Sequence, residues 1–113
     1  MRRLDVAGLE NVTEGTIRGV TVDDVPVILV AWHGEIRAFQ GTCSHEASSL
    51  IDAELDRGGV LCTMHFSRFD LQTGEVLEGP AALPLVRYPV EVSDGRVHLV
   101  LPDDDVPVNI ETE

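Results

Sequence analysis

Cys43-Ser44-His45 and Cys62-Thr63-Met64-His65 are the two stretches whose reading decides the fold. They hold the only cysteines of the 113-residue chain, and each cysteine is followed closely by a histidine. Residues 46–61 lie between the two stretches. Two thiolates and two imidazoles, supplied as matched pairs, make a metal-ligand set. A disulfide between Cys43 and Cys62 is the competing use, but that use belongs to oxidising compartments.

Working outward, Gly and Pro punctuate short β-like runs, and helical periodicity is hard to find. Arg2–Ala7 reads as a first strand and Thr16–Val22 as a second. After an Asp23-Asp24 turn, Val25–Trp32 is nearly all apolar and β-branched, as a buried strand should be. His33-Gly34 turns the chain into Glu35–Gln40. Between the two stretches, Leu50–Leu55 alternates weakly, and Arg57-Gly58-Gly59 turns into Val60-Leu61. Arg68–Leu71 pairs with Glu75–Leu77 across Gln72-Thr73-Gly74. Residues 79–85 form an uncharged loop that carries Pro80 and Pro84. Val86–Val92 and Arg96–Leu101 form a last hairpin around Ser93-Asp94-Gly95. Residues 103–113 read as a loose acidic tail. The class is all-β, with nine or ten short strands in one domain over 1–113, and residues 42–80 forming a small metal-binding subdomain.

The bulk numbers narrow the function. The net charge of −12, from 8 basic and 20 acidic residues, argues against nucleic acid, whose phosphates need Lys and Arg. It suits docking to a basic protein, since long-range attraction speeds encounter. No run approaches the roughly 20 apolar residues of a membrane span, and Met1-Arg2-Arg3-Leu4-Asp5 has no apolar signal core. A cytoplasmic protein without membrane contact is expected.

Zinc sites of the Cys₂His₂ kind usually take a cysteine pair and then a histidine pair, whereas here each stretch supplies one of each. In an extended Cys-x-His, two residues span at most roughly 7 Å and both side chains share a face. One loop can therefore touch two metal ions. Two facing loops would give one iron two sulfurs and the other iron two nitrogens, the Rieske arrangement of a [2Fe–2S] cluster. A zinc-stapled interaction module stays open at this point, and metal analysis separates the two.

The paired motif resembles the two halves of the Rieske signature. The resemblance extends through Phe66-Ser67-Arg68-Phe69-Asp70-Leu71-Gln72-Thr73-Gly74 and to Gly79-Pro80, which is similar to the proline loop covering the cluster in that family. It implies a Rieske fold, an antiparallel β-sandwich or barrel base carrying a cluster-binding subdomain. Cys43, His45, Cys62 and His65 would be the ligands, with Phe66, Ser67, Phe69 and Pro80 around the cluster. Such a site is formally neutral when oxidised, whereas a four-cysteine cluster is dianionic. Its potential is therefore higher, roughly −150 to +300 mV against about −400 mV for plant-type ferredoxins. Exposed imidazole ligands can titrate, so the potential should fall as pH rises through their oxidised-state range. The high-potential members resemble this chain but carry a further cysteine in each loop. Met64 and the Ala47–Ser48 region stand there instead, and Phe69 stands where a tyrosine hydroxyl would bond a cluster sulfur. Ser67 matches the one remaining donor. The low end, near about −150 mV, is expected.

No two-His-one-carboxylate triad and no Gly-x-Gly-x-x-Gly is present to activate oxygen or bind a nucleotide cofactor. His33 and His98 fall in a turn and a strand and read as structural. The resemblance to ferredoxin components of bacterial aromatic-ring oxygenase systems implies a monomeric one-electron carrier, not an enzyme. A flavoprotein ferredoxin reductase using NAD(P)H would supply it, and a terminal oxygenase would receive the electron. The small Rieske subunit of a nitrite-reductase-like enzyme is the alternative that the resemblance leaves.

Overall fold

A computed structural model describes residues 1–45, 48–63 and 66–111. Their regular structure is strand, apart from one 3₁₀ turn at Leu9–Asn11. In chain order the strands are β1 (Arg2–Gly8), β2 (Ile17–Val22), β3 (Val25–Trp32), β4 (Glu35–Gln40), β5 (Glu54–Asp56) and β6 (Gly59–Leu61), followed by β7 (Arg68–Asp70), β8 (Val76–Glu78), β9 (Arg87–Tyr88), β10 (Val90–Ser93) and β11 (Arg96–Leu101). They form three antiparallel sheets, ordered β1-β11-β10, β2-β3-β4-β9 and β5-β6-β7-β8.

Four hairpins close through two-residue turns at Asp23-Asp24, His33-Gly34, Arg57-Gly58 and Asp94-Gly95. Both residues of each turn have φ between +46° and +78°. That is the type I′ geometry, whose twist matches that of the strands it joins. The turns fix register, and register decides which side chains face inward.

Burial of β3 organises the layers. Val27, Leu29 and Ala31 face one core, together with Ala38, Tyr88, Val97, Leu99 and Leu101. Ile28 and Val30 face a second core with Phe39, Leu50, Val60, Phe69, Leu71 and Leu85. The β2-β3-β4-β9 sheet is thus the middle layer, which accounts for the unbroken apolar run at 27–31. Both cysteines belong to the second core.

The structure departs from the sequence expectation in three places. Val86–Val92 is not one strand. Pro89 has no N–H to give a ladder, and the chain changes sheets there: β9 pairs with β4 while β10 pairs with β11. The Leu50–Leu55 alternation yields pairing only at Glu54–Asp56, because residues 50–52 turn.

The C-terminal segment is not loose over its described part, 103–111. Val106 is buried in the first core. The Tyr88 hydroxyl donates to the Pro107 carbonyl at 2.6 Å. Gln40, fully buried, donates through Nε2 to the carbonyls of Thr42 and Asn109, and its Oε1 accepts from the N–H groups of Val86 and Asn109. Polar groups spaced along the segment have found buried partners, which charge density alone does not reveal.

Candidate metal centre

The two ligand loops are built alike. The first leaves β4 at Gly41, whose N–H donates to the Pro26 carbonyl, and closes where the Cys43 N–H donates to the Ser48 carbonyl at 2.8 Å. A Thr42–Ser49 bridge and a Leu50 N–H bond to the Gly41 carbonyl seal its base. The second joins β6 to β7, and the Cys62 N–H donates to the Ser67 carbonyl, also at 2.8 Å. Each cysteine thus bonds to the serine five residues on. The Cys-x₄-Ser repeat in Cys43–Ser48 and Cys62–Ser67 is the sequence signal for this construction, and reading the Cys/His pairs alone passes over it.

Cys43 and Cys62 are 0% and 1% exposed. The Ser48 hydroxyl lies 3.8 Å from the Cys62 sulfur and ties the first loop to the second. His45 is half-buried beyond Cys43. The fourth expected ligand, His65, lies outside the described residues, as do Met64 and Ala47. No three His, Cys, Asp or Glu donors converge on a single ion among the described residues.

The proline loop, residues 79–85, is fastened to both. The Ser44 hydroxyl donates to the Leu83 carbonyl at 2.5 Å. The Ser67 hydroxyl, fully buried, accepts from the Ala81 N–H at 3.0 Å, which leaves its own proton to be donated elsewhere. Farther along, the Leu85 N–H donates to the Gly74 carbonyl. Pro80 is exposed and follows a cis peptide bond. Phe66 takes φ +63° and is 66% exposed, so it does not pack beneath the proline loop. Phe69 lies in the second core with both cysteines.

The two remaining histidines have structural surroundings. The backbone N–H groups of His33 and Gly34 donate to the Glu14 carboxylate, which holds its pKa down, and the His33 ring stacks near Trp32 at 4.9 Å. His98 stands on β11 with Nε2 3.9 Å from Asp5. Asp5 is itself held by Arg96, whose bidentate bonds lower the pKa of its carboxyl.

The donor set fits an iron–sulfur cluster. Two soft sulfurs sit in a dry core, on backbones pinned by hydrogen bonds, with hydroxyls close by and a histidine at the surface side. The fold and the paired loops define a small iron–sulfur electron-transfer protein. The sequence model of the Rieske [2Fe-2S] domain matches residues 2–89. The chain is 34% identical to the ferredoxin component of the naphthalene 1,2-dioxygenase/salicylate 5-hydroxylase systems of Ralstonia sp., over 85% of this chain and 92% of the relative. It is 36% identical to the 3-phenylpropionate/cinnamic acid dioxygenase ferredoxin subunit of Escherichia coli K12, over 91% and 97%. Among solved structures, a chain in the complex of reduced oxygenase and oxidized ferredoxin in carbazole 1,9a-dioxygenase matches with a TM-score of 0.79. That chain is 31% identical, over 86% of this protein and 91% of its own length.

The protein belongs to the Rieske [2Fe-2S] family. It is an electron carrier with one Rieske-type cluster, a ferredoxin component and not the catalytic subunit of such a system. No helix among the described residues is long and apolar enough to cross a membrane.

Proposed function

We propose that Cys43, His45, Cys62 and His65 hold the cluster within the 42–80 segment. In this reading the chain takes electrons in the cytoplasm from an NAD(P)H-dependent flavoprotein reductase and passes them to a terminal aromatic-ring oxygenase. The observation that carries this reading is the span of the match, which covers nearly the whole length of relatives named as ferredoxin components. When bound, the cluster supplies one-electron uptake and release. The chain's own residues do the rest. The buried cysteines keep water from the sulfur side. The Ser48 hydroxyl offers a hydrogen bond to the Cys62 sulfur, and the Ser67 hydroxyl anchors the proline loop through the Ala81 N–H. Phe66, exposed in the second loop, offers an apolar contact.

Net charge sets the encounter. Among the described residues six arginines are engaged with carboxylates: Arg2 with Asp23, Arg3 with Glu91, Arg37 with Glu35, Arg57 with Asp56, Arg68 with Glu78 and Arg96 with Asp5. The unpaired acidic surplus steers a basic partner. Reconstitution with a reductase and oxygenase encoded nearby tests the proposal. Product formation should require this chain and should slow steeply with added salt. Phe66→Ser should slow oxygenase reduction while leaving the electrode potential unchanged. Full turnover without the chain would overturn the reading.

A further inference from the structure

We infer that residues 106–111 form a clasp on the cluster site, and that Glu111 is a positioning residue whose charge sets how readily the site takes up an electron. The match to the Rieske domain ends at residue 89, so the clasp lies outside it. The inference rests on the ligand assignment proposed above.

The segment is anchored first in the base. Val106 enters the first core and Pro107 receives the Tyr88 hydroxyl. Asn109 is then held twice by the buried Gln40 amide, and its own Nδ2 donates to the Pro84 carbonyl at the end of the proline loop. At Glu111 the segment reaches both loops at once. Its N–H donates to the Ser44 carbonyl at 2.7 Å. Its Oε1 accepts from the Ala82 N–H at 2.5 Å.

Ser44 is the residue between Cys43 and His45, so the bond falls on the backbone that spaces two ligands. Ser44 in turn donates through its hydroxyl to Leu83, one residue from Ala82. Ser44, residues 82–83 and Glu111 therefore close a ring of three hydrogen bonds. Glu111 supplies the one charged member. A carboxylate held through one oxygen, on a backbone pinned at its N–H, opposes the gain of negative charge at a centre beside it. Charge and acceptor can be separated. Glutamine keeps an oxygen for the Ala82 N–H and removes the charge, whereas alanine removes both.

The test uses the full-length cluster-loaded protein and needs no partner. The midpoint potential is read at an electrode, and cluster release into a chelator is read by loss of visible absorbance. Glu91→Gln, a neutralised carboxylate on β10 of the outer sheet, controls for net charge. Glu111→Gln should shift the reduction equilibrium several-fold towards the reduced state, beyond the shift of Glu91→Gln, with cluster release as in the parent. Glu111→Ala should share the potential shift and release its cluster about fivefold faster, the factor that one hydrogen bond of ordinary net strength gives. A Glu111→Gln potential no different from that of Glu91→Gln overturns the proposal, whatever Glu111→Ala does to cluster lifetime. Full cluster retention in Cys43→Ser would overturn the ligand assignment, and the clasp with it, by a separate readout.

Discussion

The Cys62 sulfur has a hydroxyl near it that the ligand motif does not advertise. Ser48 lies 3.8 Å away, across from the other loop. A donated hydrogen bond stabilises the extra negative charge of the reduced site, so Ser48→Ala should lower the midpoint potential. The limit is about 40 mV, from a bond of about 1 kcal/mol and 59 mV per tenfold for one electron. No change, measured by voltammetry, would remove Ser48 from the tuning account.

Tyr88 makes a second prediction at this scale. Burial pushes its hydroxyl pKa up to about 12 from 10.0. The raised value means the folded state holds the proton more tightly than the unfolded one. Its contribution is therefore complete below pH 10 and is lost as pH rises from there through 12. Unfolding free energy should fall by up to about 2–3 kcal/mol across that window. Tyr88→Phe should lack this alkaline limb, and below pH 10 it should be weaker by about 1 kcal/mol for the bond lost to Pro107. Denaturant melts at a series of pH values check both parts.

The proposed ligands Cys43, His45, Cys62 and His65 stand out in the sequence because their residue types are rare here and their spacing is local. Glu111 does not, since its partners are 29 residues away at Ala82 and farther still at Ser44. Only the folded chain brings such groups together.

At the scale of elements, the hairpins were readable because two-residue turns need residues that accept positive φ, and Asp, Asn and Gly are the usual choices. The split at Pro89 was readable in principle: a proline cannot donate in mid-ladder, so an unbroken Val86–Val92 was the wrong expectation. The three-layer stacking was hinted at by the apolar run of β3, but which sheet covers which face is a matter of tertiary packing. Two glycines separate backbone freedom from close approach. Gly58 has φ +75° with open space around it, while Gly74 has φ +82° and a Cβ there would sit 2.5 Å from the Leu85 carbonyl oxygen. Gly58→Ala should cost about 1 kcal/mol, the left-handed penalty alone. Gly74→Ala should cost about 2 kcal/mol or more, because it also pushes the end of the proline loop away. Equal midpoints for the two variants in urea would contradict this reading of the loop's anchor.

Over the whole molecule, two cores divide the labour. The core between the outer and middle sheets holds the base, and the core on the other face of β3 holds the cysteines. The acidic C-terminal segment joins them, running from Val106 in the first core to Ser44 in the first ligand loop. Its acidity was plain in the sequence. Its attachment was not, because the residues that make it (Gln40, Tyr88, Ser44) carry no periodic signal. In the proposed ligand assignment this scaffold holds one two-iron cluster between two Cys/His loops. Iron and acid-labile sulfide content, measured on the purified protein and on Cys43→Ser, His45→Ala, Cys62→Ser and His65→Ala, tests it most directly. About two irons and two sulfides per chain are expected in the parent, and near-complete loss in each variant. Zinc in place of iron, or a variant that keeps the full complement of iron and sulfide, would contradict it.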